Sequence, residues 1–261
     1  MHFKVNAIIP AGGTSSRFGN KNKLLEKIYG KEVINGGEAS GVYIENSKNN
    51  GKEVINGGEA SGEYIKNNKN IGKEVIKYTV EAFEASDVDE IIICANKTII
   101  DELNKIFKDS SKVKIIEGGQ TRQASVYNGL KAGECDYVLI HDGARPMIST
   151  ELINRAIEMV KEKKALTVAT KTIDTIKEVV DGKIIRTIDR SKLYNTQTPQ
   201  AFEYNLIKQA HEKLYGQNFT DDAGMLEELG QTVYILDGSY KNIKITTQND
   251  IDIAAVYLGR N

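Results

Sequence analysis

Outside residues 30–71, short apolar runs alternate with longer amphipathic segments, and this alternation limits the fold more than any other feature. The apolar runs predict strands at Val5–Ile9, Glu90–Ala95, Val113–Glu117, Tyr137–Ile140, Leu166–Thr170, Thr232–Leu236 and Ile243–Thr246. The amphipathic segments predict helices at Ile76–Glu84, Thr98–Phe107, Thr121–Ala132, Thr150–Glu162, Tyr204–Leu214, Asp222–Leu229 and Gln248–Leu258. Because nearly continuous apolar strands separated by helices are typical of a sheet covered on both faces, we expect an α/β fold with a doubly wound, mainly parallel sheet.

Residues 30–71 are two nearly identical copies of one 21-residue segment, 30–50 and 51–71, which differ at four positions. The copies have too few large apolar side chains to build a core, and two repeats are too few for a solenoid. We therefore predict a single domain over 1–261 in which 30–71 is a duplicated surface insertion. Two conformations fit each copy, a weak hairpin and a flexible loop, and the composition favours the flexible loop.

Residues 170–193 interrupt the alternation. Two runs, Thr175–Val180 and Lys183–Ile188, flank the dipeptide Asp181-Gly182, which is a strong signal for a β-hairpin. Since an isolated two-stranded hairpin is only marginally stable in water, we expect this arm to pack on another surface. A second copy of the chain is the obvious candidate, so we predict that 170–193 is a dimerisation arm.

The composition excludes several classes of partner. The chain has 35 basic and 36 acidic residues, whereas a sequence-independent nucleic-acid binder carries a clear basic excess. No apolar run is long enough to predict a transmembrane helix, and the N-terminus lacks a signal-peptide pattern. Cys94 and Cys135 adjoin apolar runs and are expected to be buried free thiols. We expect a cytoplasmic protein with neither nucleic-acid nor membrane partners.

The loop after the first predicted strand is suited to binding phosphate. Gly12 and Gly13 let backbone N–H groups approach an anion closely, and Arg17 adds a planar cation. Lys21 and Lys23 follow as mobile charges. The loop has neither the Walker ending nor the Gly-x-Gly-x-x-Gly spacing, and on its own it also fits an ordinary Gly-rich turn.

Further motifs follow this loop in a consistent order. The set comprises Pro10–Gly19 (PAGGTSSRFG) with Lys23, Gly118–Val126 (GGQTRQASV), His141–Pro146 (HDGARP), Asp174–Lys177 (DTIK), Ile188–Arg190 (IDR), Thr196–Gln200 (TQTPQ), Thr220–Asp222 (TDD) and Asn242–Thr246 (NIKIT). Together they resemble the 2-C-methyl-D-erythritol 4-phosphate cytidylyltransferase family over about residues 4–258, with the repeats excluded. The resemblance implies a Rossmann-like nucleotidyltransferase of isoprenoid precursor biosynthesis. Its members join CTP and methylerythritol 4-phosphate, with Mg²⁺, to give 4-diphosphocytidyl-methylerythritol and pyrophosphate.

The resemblance also implies which residues form the nucleotide site. Arg17 and Lys23 match catalytic positions that stabilise the transition state, and Asp142 matches the position that holds Mg²⁺ together with phosphate oxygens. The nucleotide-binding positions are Pro10, Ala11, Gly12, Gly13, Gly118, Gly119, Arg122, Ser125, Asp142 and Lys244. Since a phosphate monoester is already a nucleophile, the reaction needs positioning and charge neutralisation rather than a general base.

For methylerythritol 4-phosphate, the resemblance implies a site built from Arg145, Thr175 and Arg190. Thr175 and Arg190 belong to the arm, which in the family crosses to the partner subunit. A homodimer with shared sites is therefore implied.

Two assignments in the nucleotide site stay open. The family's Lys-Gln pair reads Lys23-Leu24 here, which leaves the choice between Lys21 and Lys23 unsettled. Asp142 and Arg145 also fit a simple ion pair at a strand end.

Structural roles also fit several other motif residues. Thr175 and Arg190 fit exposed positions on the arm, and His141 fits a structural role better than proton transfer. Asp221 and Asp222 stand at the start of a predicted helix, where capping is an alternative to ligand binding.

Two other functions compete with the family assignment. Ribitol 5-phosphate cytidylyltransferases share the loop, the arm and the Thr-Pro-Gln segment, but Arg122 with Ala124–Val126 and the Thr220–Ala223 run favour methylerythritol phosphate. A catalytically silent nucleotide-binding scaffold is the second, and the intact Arg17 and Lys244 argue against it.

Overall fold

The computed structural model of the protein describes residues 2–12, 18, 22–29, 31–35, 42–43, 54–55, 63–67 and 72–258. Its strands are β1 (Val5–Ala11), β2 (Lys27–Ile28), β3 (Lys31–Asn35), β4 (Val42–Tyr43), β5 (Val54–Ile55), β6 (Glu63–Asn67), β7 (Lys73–Glu74), β8 (Glu90–Ala95), β9 (Val113–Glu117), β10 (Tyr137–Ile140), β11 (Ala165–Lys171), β12 (Lys177–Val180), β13 (Lys183–Thr187), β14 (Tyr194–Glu203) and β15 (Tyr234–Asp237). Its helices are α1 (Val75–Glu84), α2 (Ile100–Ile106), α3 (Arg122–Ala132), α4 (Thr150–Lys163), α5 (Tyr204–Lys213), α6 (Asp222–Glu228) and α7 (Gln248–Leu258). A short 3-10 helix spans Arg190–Lys192.

One seven-stranded sheet organises the molecule, in the order β15-β11-β14-β10-β1-β8-β9. β1 pairs in parallel with β8 and β10, β8 pairs in parallel with β9, and β11 pairs in parallel with β15. β14 alone runs antiparallel, between β10 and β11. The prediction of a mainly parallel sheet is confirmed.

Helices cover both faces of this sheet, which explains why its strands are apolar almost throughout. One face packs on α1, α2, α4 and α7 through side chains such as Ile9 and Phe83. The other face packs on α3, α5 and α6 through side chains such as Ile8 and Leu130. Neighbours along β1 therefore enter two different cores, since side chains alternate across a strand. This is the predicted doubly wound arrangement.

The predicted elements differ from the structure at two places in the sheet. The sequence prediction missed β14, and it placed a strand at Ile243–Thr246, where the described chain has none. Ile245 is buried there, and its N–H donates to the carbonyl oxygen of Ala144 at 2.7 Å, but the segment forms no ladder in the described structure. The other predicted strands and helices outside 30–71 and the arm are present, with ends shifted by at most two residues.

Within the repeats, the described strands pair between the two copies rather than inside one. β3 of the first copy pairs with β6 of the second, and β4 pairs with β5. A hairpin contained in a single copy is therefore not what these strands form. The predicted flexibility of 30–71 concerns residues that lie mostly outside the described set, and it stays a prediction.

The arm is an antiparallel hairpin of β12 and β13. Asp181 and Gly182 at its tip have φ values of +50° and +76°, which is the type I′ geometry that Asp-Gly favours. The side chains of Ile173, Ile184 and Ile185 are 63, 65 and 58% exposed on the arm. Its role in dimerisation stays a prediction.

The two cysteines differ in exposure. Both are free thiols, but Cys94 is buried as predicted whereas Cys135 is only partly buried, because its side chain lies near the start of β10 at the rim of the core. Burial raises the pKa of both thiols to about 12, so neither forms a thiolate near neutral pH. Among the described residues, no helix is both long and apolar enough to cross a bilayer.

Candidate active site

A cavity of about 350 Å³ lies where β1, β9 and β10 end. Eight of the predicted site residues line it, namely Pro10, Ala11, Gly12, Lys23, Arg122, Ser125, Asp142 and Lys244. The carboxyl ends of parallel strands are the usual ligand-binding edge of a doubly wound sheet. We call this the first cavity.

Part of the phosphate loop falls outside the described residues. These include the predicted Gly13 and Arg17, and also Lys21. Lys23 lies in the first cavity, where its Nζ donates a hydrogen bond to the carbonyl oxygen of Ile245 at 2.9 Å. The choice between the two lysines therefore stays open.

A tight turn after β9 borders the first cavity. The N–H of Gly119 donates to Ser125 Oγ at 3.0 Å, and Ser125 is buried. A Cβ atom on Gly119 would lie 2.7 Å from the carbonyl carbon of Ala124, and one on Gly118 would lie 3.1 Å from the carbonyl oxygen of Cys94. Glycine is needed here because the backbone approaches too closely for any side chain.

Asp142 is the centre of a charged cluster. Its Oδ2 lies 2.8 Å from Lys244 Nζ and 3.6 Å from Arg145 Nε, and its Oδ1 lies 3.3 Å from Arg122 Nε. Burial on its own would raise the pKa of Asp142, but the cations, Arg122 foremost, hold it far below its ordinary value. Asp142 is therefore ionised at neutral pH, and its ion pair with Arg145 is one contact of a larger network.

Arg122 bridges two carboxylates. Besides the contact to Asp142, one terminal nitrogen of its guanidinium lies 2.7 Å from Asp222 Oδ2. Burial disfavours the charged guanidinium, but Asp222 and Asp142 outweigh it and raise the pKa of Arg122 above its already high value. Arg122 is a permanent cation whose orientation both carboxylates fix.

A second cavity, of about 240 Å³, adjoins the first and shares Arg122, Asp142 and Lys244 with it. Arg145 lines this second cavity and donates to the carbonyl oxygen of Asn242 at 2.8 Å. The Nε of Arg145 is buried, and Asp142 Oδ2 lies 3.6 Å from it, beyond hydrogen-bond distance. A cationic side chain on the wall of a cavity suits an anionic ligand.

Thr175 and Arg190 line neither cavity of this chain. Both are exposed on the arm, where Arg190 donates to the carbonyl oxygen of Ile173. The structure therefore does not bring them together with Arg145 in one protomer, and their contribution to a partner's site stays a prediction.

Thr198 organises the backbone around Asp142, a role that the sequence did not reveal. Its Oγ accepts a hydrogen bond from the N–H of Asp142 at 3.1 Å and donates to His141 Nδ1 at 3.1 Å. The other ring nitrogen, His141 Nε2, lies 3.3 Å from the carbonyl oxygen of Arg145 and so carries the proton. Burial lowers the pKa of His141 to about 3, so the ring is neutral and supports the site structurally.

Asp221 and Asp222 have different roles. Asp221 caps α6 by accepting a hydrogen bond from the N–H of Gly224 at 3.0 Å. Asp222 instead contacts Arg122 and lies 3.1 Å from His211 Nε2. No local pattern could have revealed these contacts of Asp222, because Arg122 is 100 residues away in the sequence.

Comparisons with known proteins agree with this geometry. A family model described as 2-C-methyl-D-erythritol 4-phosphate cytidylyltransferase matches residues 57–260. A protein of that name from Clostridioides difficile is 47% identical over 191 residues, covering 69% of this chain and 79% of the relative. One from Bacillus licheniformis is 42% identical over 190 residues, covering 70% of this chain and 82% of the relative.

Solved structures show the same likeness. The crystal structure of 4-diphosphocytidyl-2C-methyl-D-erythritol synthase from Anaerococcus prevotii superposes with a TM-score of 0.73 at 30% identity, covering 98% of this chain and 96% of that one. The Thermus thermophilus 2-C-methyl-D-erythritol 4-phosphate cytidylyltransferase superposes with a TM-score of 0.64 at 29% identity, covering 72% of this chain and 90% of that one. From the ordered motifs, the site geometry and these matches, we conclude that the chain belongs to the 2-C-methyl-D-erythritol 4-phosphate cytidylyltransferase family.

Proposed function

We propose that this protein transfers the cytidylyl group of CTP to the phosphate of 2-C-methyl-D-erythritol 4-phosphate and releases pyrophosphate. The observation that carries the proposal is the wall of Arg122, Asp142 and Lys244 that the two cavities share. CTP fits the first cavity beside the phosphate loop, and the polyol phosphate fits the second beside Arg145. The two reacting phosphates then meet at the shared wall.

The chemistry requires one displacement at phosphorus. An oxygen of the polyol phosphate forms a bond to the α-phosphorus of CTP, while the bond from that phosphorus to the α,β-bridging oxygen breaks. Pyrophosphate leaves with the electron pair, so no side chain has to accept a proton. Lys23, Arg122 and Lys244 surround the cavity with positive charge, and the resemblance adds Arg17 to this set.

Mg²⁺ is the cofactor that we propose for this site, with Asp142 as its protein ligand. Among the described residues, no group of three or more His, Cys, Asp or Glu side chains is arranged to hold a metal. Asp142 is ionised and lines both cavities, and Mg²⁺ is usually held by one or two carboxylates together with substrate phosphates and water. The residues present therefore fit an ion carried mainly by the nucleotide. When bound, the ion supplies charge neutralisation on the triphosphate.

We also propose that the protein acts as a homodimer through the arm, with Thr175 and Arg190 reaching the partner's polyol site. The exposed apolar side chains of Ile173, Ile184 and Ile185 support this assembly, since burying them on a second subunit is favourable.

The cytoplasm is the location that we propose. The free thiols of Cys94 and Cys135 agree with a reducing compartment, which favours this location.

Pyrophosphate release tests the proposed reaction. The protein is supplied in turn with each common ribonucleoside triphosphate and with methylerythritol 4-phosphate or ribitol 5-phosphate. We expect release with CTP and methylerythritol 4-phosphate, abolished by EDTA and restored by Mg²⁺. Equal or faster release with ribitol 5-phosphate would overturn the substrate assignment. No release from folded protein would favour a silent scaffold.

A paired substitution on one loop locates the reaction at the shared wall. Lys244→Gln is expected to lower kcat/KM by a factor of about 10² or more, because it removes a cation aimed at the transferring phosphate. Lys241→Gln is the matched control, since Lys241 is exposed on the same loop and lines neither cavity. Equal losses in both variants would mean that Lys244 has no special place in the reaction.

A further inference from the structure

A line of paired side chains leads from α5 to the first cavity. His211 Nε2 lies 3.1 Å from Asp222 Oδ1, and Asp222 Oδ2 lies 2.7 Å from a terminal nitrogen of Arg122. Arg122 then contacts Asp142 at the cavity wall. The residues come from α5, α6 and α3 in turn, so the line connects three helices on one face of the sheet.

Burial makes the contact between His211 and Asp222 hard to replace. The side chains of His211 and Asp222 are each 1% exposed, so neither can exchange its partner for water. The backbone N–H of Asp222 is also held, because it donates to the side-chain oxygen of Gln200 at 3.0 Å. With its backbone fixed, the carboxylate of Asp222 is oriented by only two described side chains, Arg122 and His211.

His211 has little freedom of its own. Its ring lies parallel to that of Tyr127, at an angle of 4° with the centroids 6.1 Å apart. Tyr127 belongs to α3, the helix that begins at Arg122. The ring of Tyr127 thus flanks the imidazole while Nε2 faces Asp222, and an N–H at that atom suits a carboxylate oxygen.

We propose that His211 is a positioning residue for Arg122, acting through Asp222, and that it fixes the guanidinium on the wall of the first cavity. His211 lines neither the first nor the second cavity, so it does not itself touch a ligand held there. This inference rests on the proposed function for its choice of CTP as the ligand that reports on Arg122.

The test compares substitutions that change one contact each. His211→Phe keeps the ring beside Tyr127 but removes the N–H, and His211→Gln places an amide N–H near the position of Nε2. Tyr204→Phe is the matched control, because Tyr204 also joins α5 to α3 through a buried hydrogen bond, from its hydroxyl to the carbonyl oxygen of Leu130 at 2.7 Å. That bond has no part in the line to Arg122.

The measurements are the Kd for CTP by calorimetry, and KM and kcat by pyrophosphate release. We expect His211→Phe to raise the Kd and KM for CTP about tenfold with kcat within about twofold, since it loosens the orientation of Arg122 in the nucleotide site without removing its charge. His211→Gln should restore most of the affinity. Tyr204→Phe should lower the melting temperature and leave the Kd for CTP unchanged.

A double-substitution cycle decides whether the effect passes through Arg122. In an Arg122→Ala background, His211→Phe should change the Kd for CTP less than twofold. Three results would each overturn the proposal. They are a tenfold rise in the Kd for CTP when His211→Phe is added to Arg122→Ala, an unchanged Kd for CTP in His211→Phe alone, and an equal rise in that Kd in Tyr204→Phe. If His211→Phe does not fold, His211→Asn takes its place, because its shorter amide leaves the position of Nε2 empty. A wild-type protein that bound CTP without turnover would contradict the proposed reaction, while the affinities would still decide the role of His211.

Discussion

Arg122 binds Asp142 on one side and Asp222 on the other, so its guanidinium has little freedom to turn. The sequence predicted Arg122 as a nucleotide-binding residue because it lies in a recognisable motif. The sequence could not predict that Asp222 also contacts His211, because the packing of α5 on α6 brings these two side chains together. Motif residues at strand ends can thus be predicted from the sequence. The side chains that orient them cannot, because only the tertiary packing brings them into contact.

Gly119 gives a test of the turn beside the first cavity. Gly119→Ala would push a Cβ atom against the backbone of Ala124, so we expect a loss of about 1–3 kcal/mol in the free energy of unfolding. The displaced turn should also weaken CTP binding by about tenfold or more. Urea unfolding and calorimetric titration with CTP measure the two effects.

Gly182→Ala is the control for that substitution. Gly182 has a φ of +76° with nothing within 4 Å of a Cβ atom, so alanine there strains only the backbone of the arm. CTP affinity should not change in Gly182→Ala. Unchanged affinity in Gly119→Ala as well would show that the turn does not shape the nucleotide site.

At the scale of elements, β14 shows where a local pattern misleads. Pro199 and the polar residues before it are typical of a loop, yet they lie inside a ten-residue strand between β10 and β11. The register of β14 with β11 skips between Thr167–Gln200 and Ala169–Thr196, so the proline falls in an irregularity of the ladder. At Ile243–Thr246 the sequence predicted a strand that the described structure does not contain. The error arose because an alternation of apolar and polar residues indicates that Ile245 is buried, but not that a neighbouring strand is present to pair with it.

The start of α7 makes stability depend on pH. Oδ2 of Asp250 accepts hydrogen bonds from the N–H and O–H groups of Thr246 and Thr247 at 2.7–3.1 Å, much as a capping box does. Burial acts to raise the pKa of Asp250, but these bonds outweigh it, and the pKa in the folded state lies below the ordinary value of 3.8. The carboxylate therefore stabilises the fold above that value, and the contribution is lost as the pH falls through the folded-state pKa.

Asp250→Ala should therefore cost about 1 kcal/mol of unfolding free energy at neutral pH. The difference in unfolding free energy between Asp250→Ala and the wild type should stay constant above a pH of about 5 and become smaller below about 4. Asp252→Ala, at an exposed position of the same helix, is the control and should cost little at neutral pH. A gap for Asp250→Ala that persists undiminished at pH 3 would contradict the assignment.

The arm carries a prediction about shared sites. Arg190→Ala should raise the KM for the polyol phosphate roughly tenfold to a hundredfold, as expected for a lost hydrogen bond to a charged group, and leave the KM for CTP unchanged. Lys192→Ala, also exposed on the arm, is the control.

Mixing Arg190→Ala protomers with Lys244→Gln protomers tests the crossing of the arm. Each heterodimer would then contain one site with both residues intact, so activity should rise above that of either parent. Absence of any rise in heterodimers shown to form would mean that each site belongs to one chain.

At the scale of the whole molecule, the repeats are inserted between two paired strands that a short turn could connect without them. β2 pairs with β7 so that Ile28 lies opposite Lys73. Deleting 30–71 leaves Tyr29 and Gly72 as a two-residue connection between these strands, which is a common hairpin length. We expect the shortened protein to be folded, active and at least as stable, since each halving of a flexible loop changes its closure free energy by only about 0.6 kcal/mol.

Circular dichroism, thermal unfolding and pyrophosphate release compare the shortened protein with the full chain. Deletion of the second copy alone, 51–71, is the intermediate control. Its folding and activity should match those of the full chain and of the protein that lacks 30–71. Insoluble or inactive protein from the full deletion would show that the repeats form part of the packed structure.

The position of β1 inside the sheet, between β10 and β8, has a consequence for synthesis on the ribosome. β1 pairs with β10, so its ladder cannot be completed until residue 140 has been made. At about 5–20 residues per second, the apolar strand VNAIIPA waits roughly 6–26 s for that neighbour. The repeats alone lengthen this interval by about 2–8 s. During that time β1, which later becomes an inner strand of the sheet, lacks one of its two neighbours, and each added copy of the repeat extends the period in which chaperones must shield it.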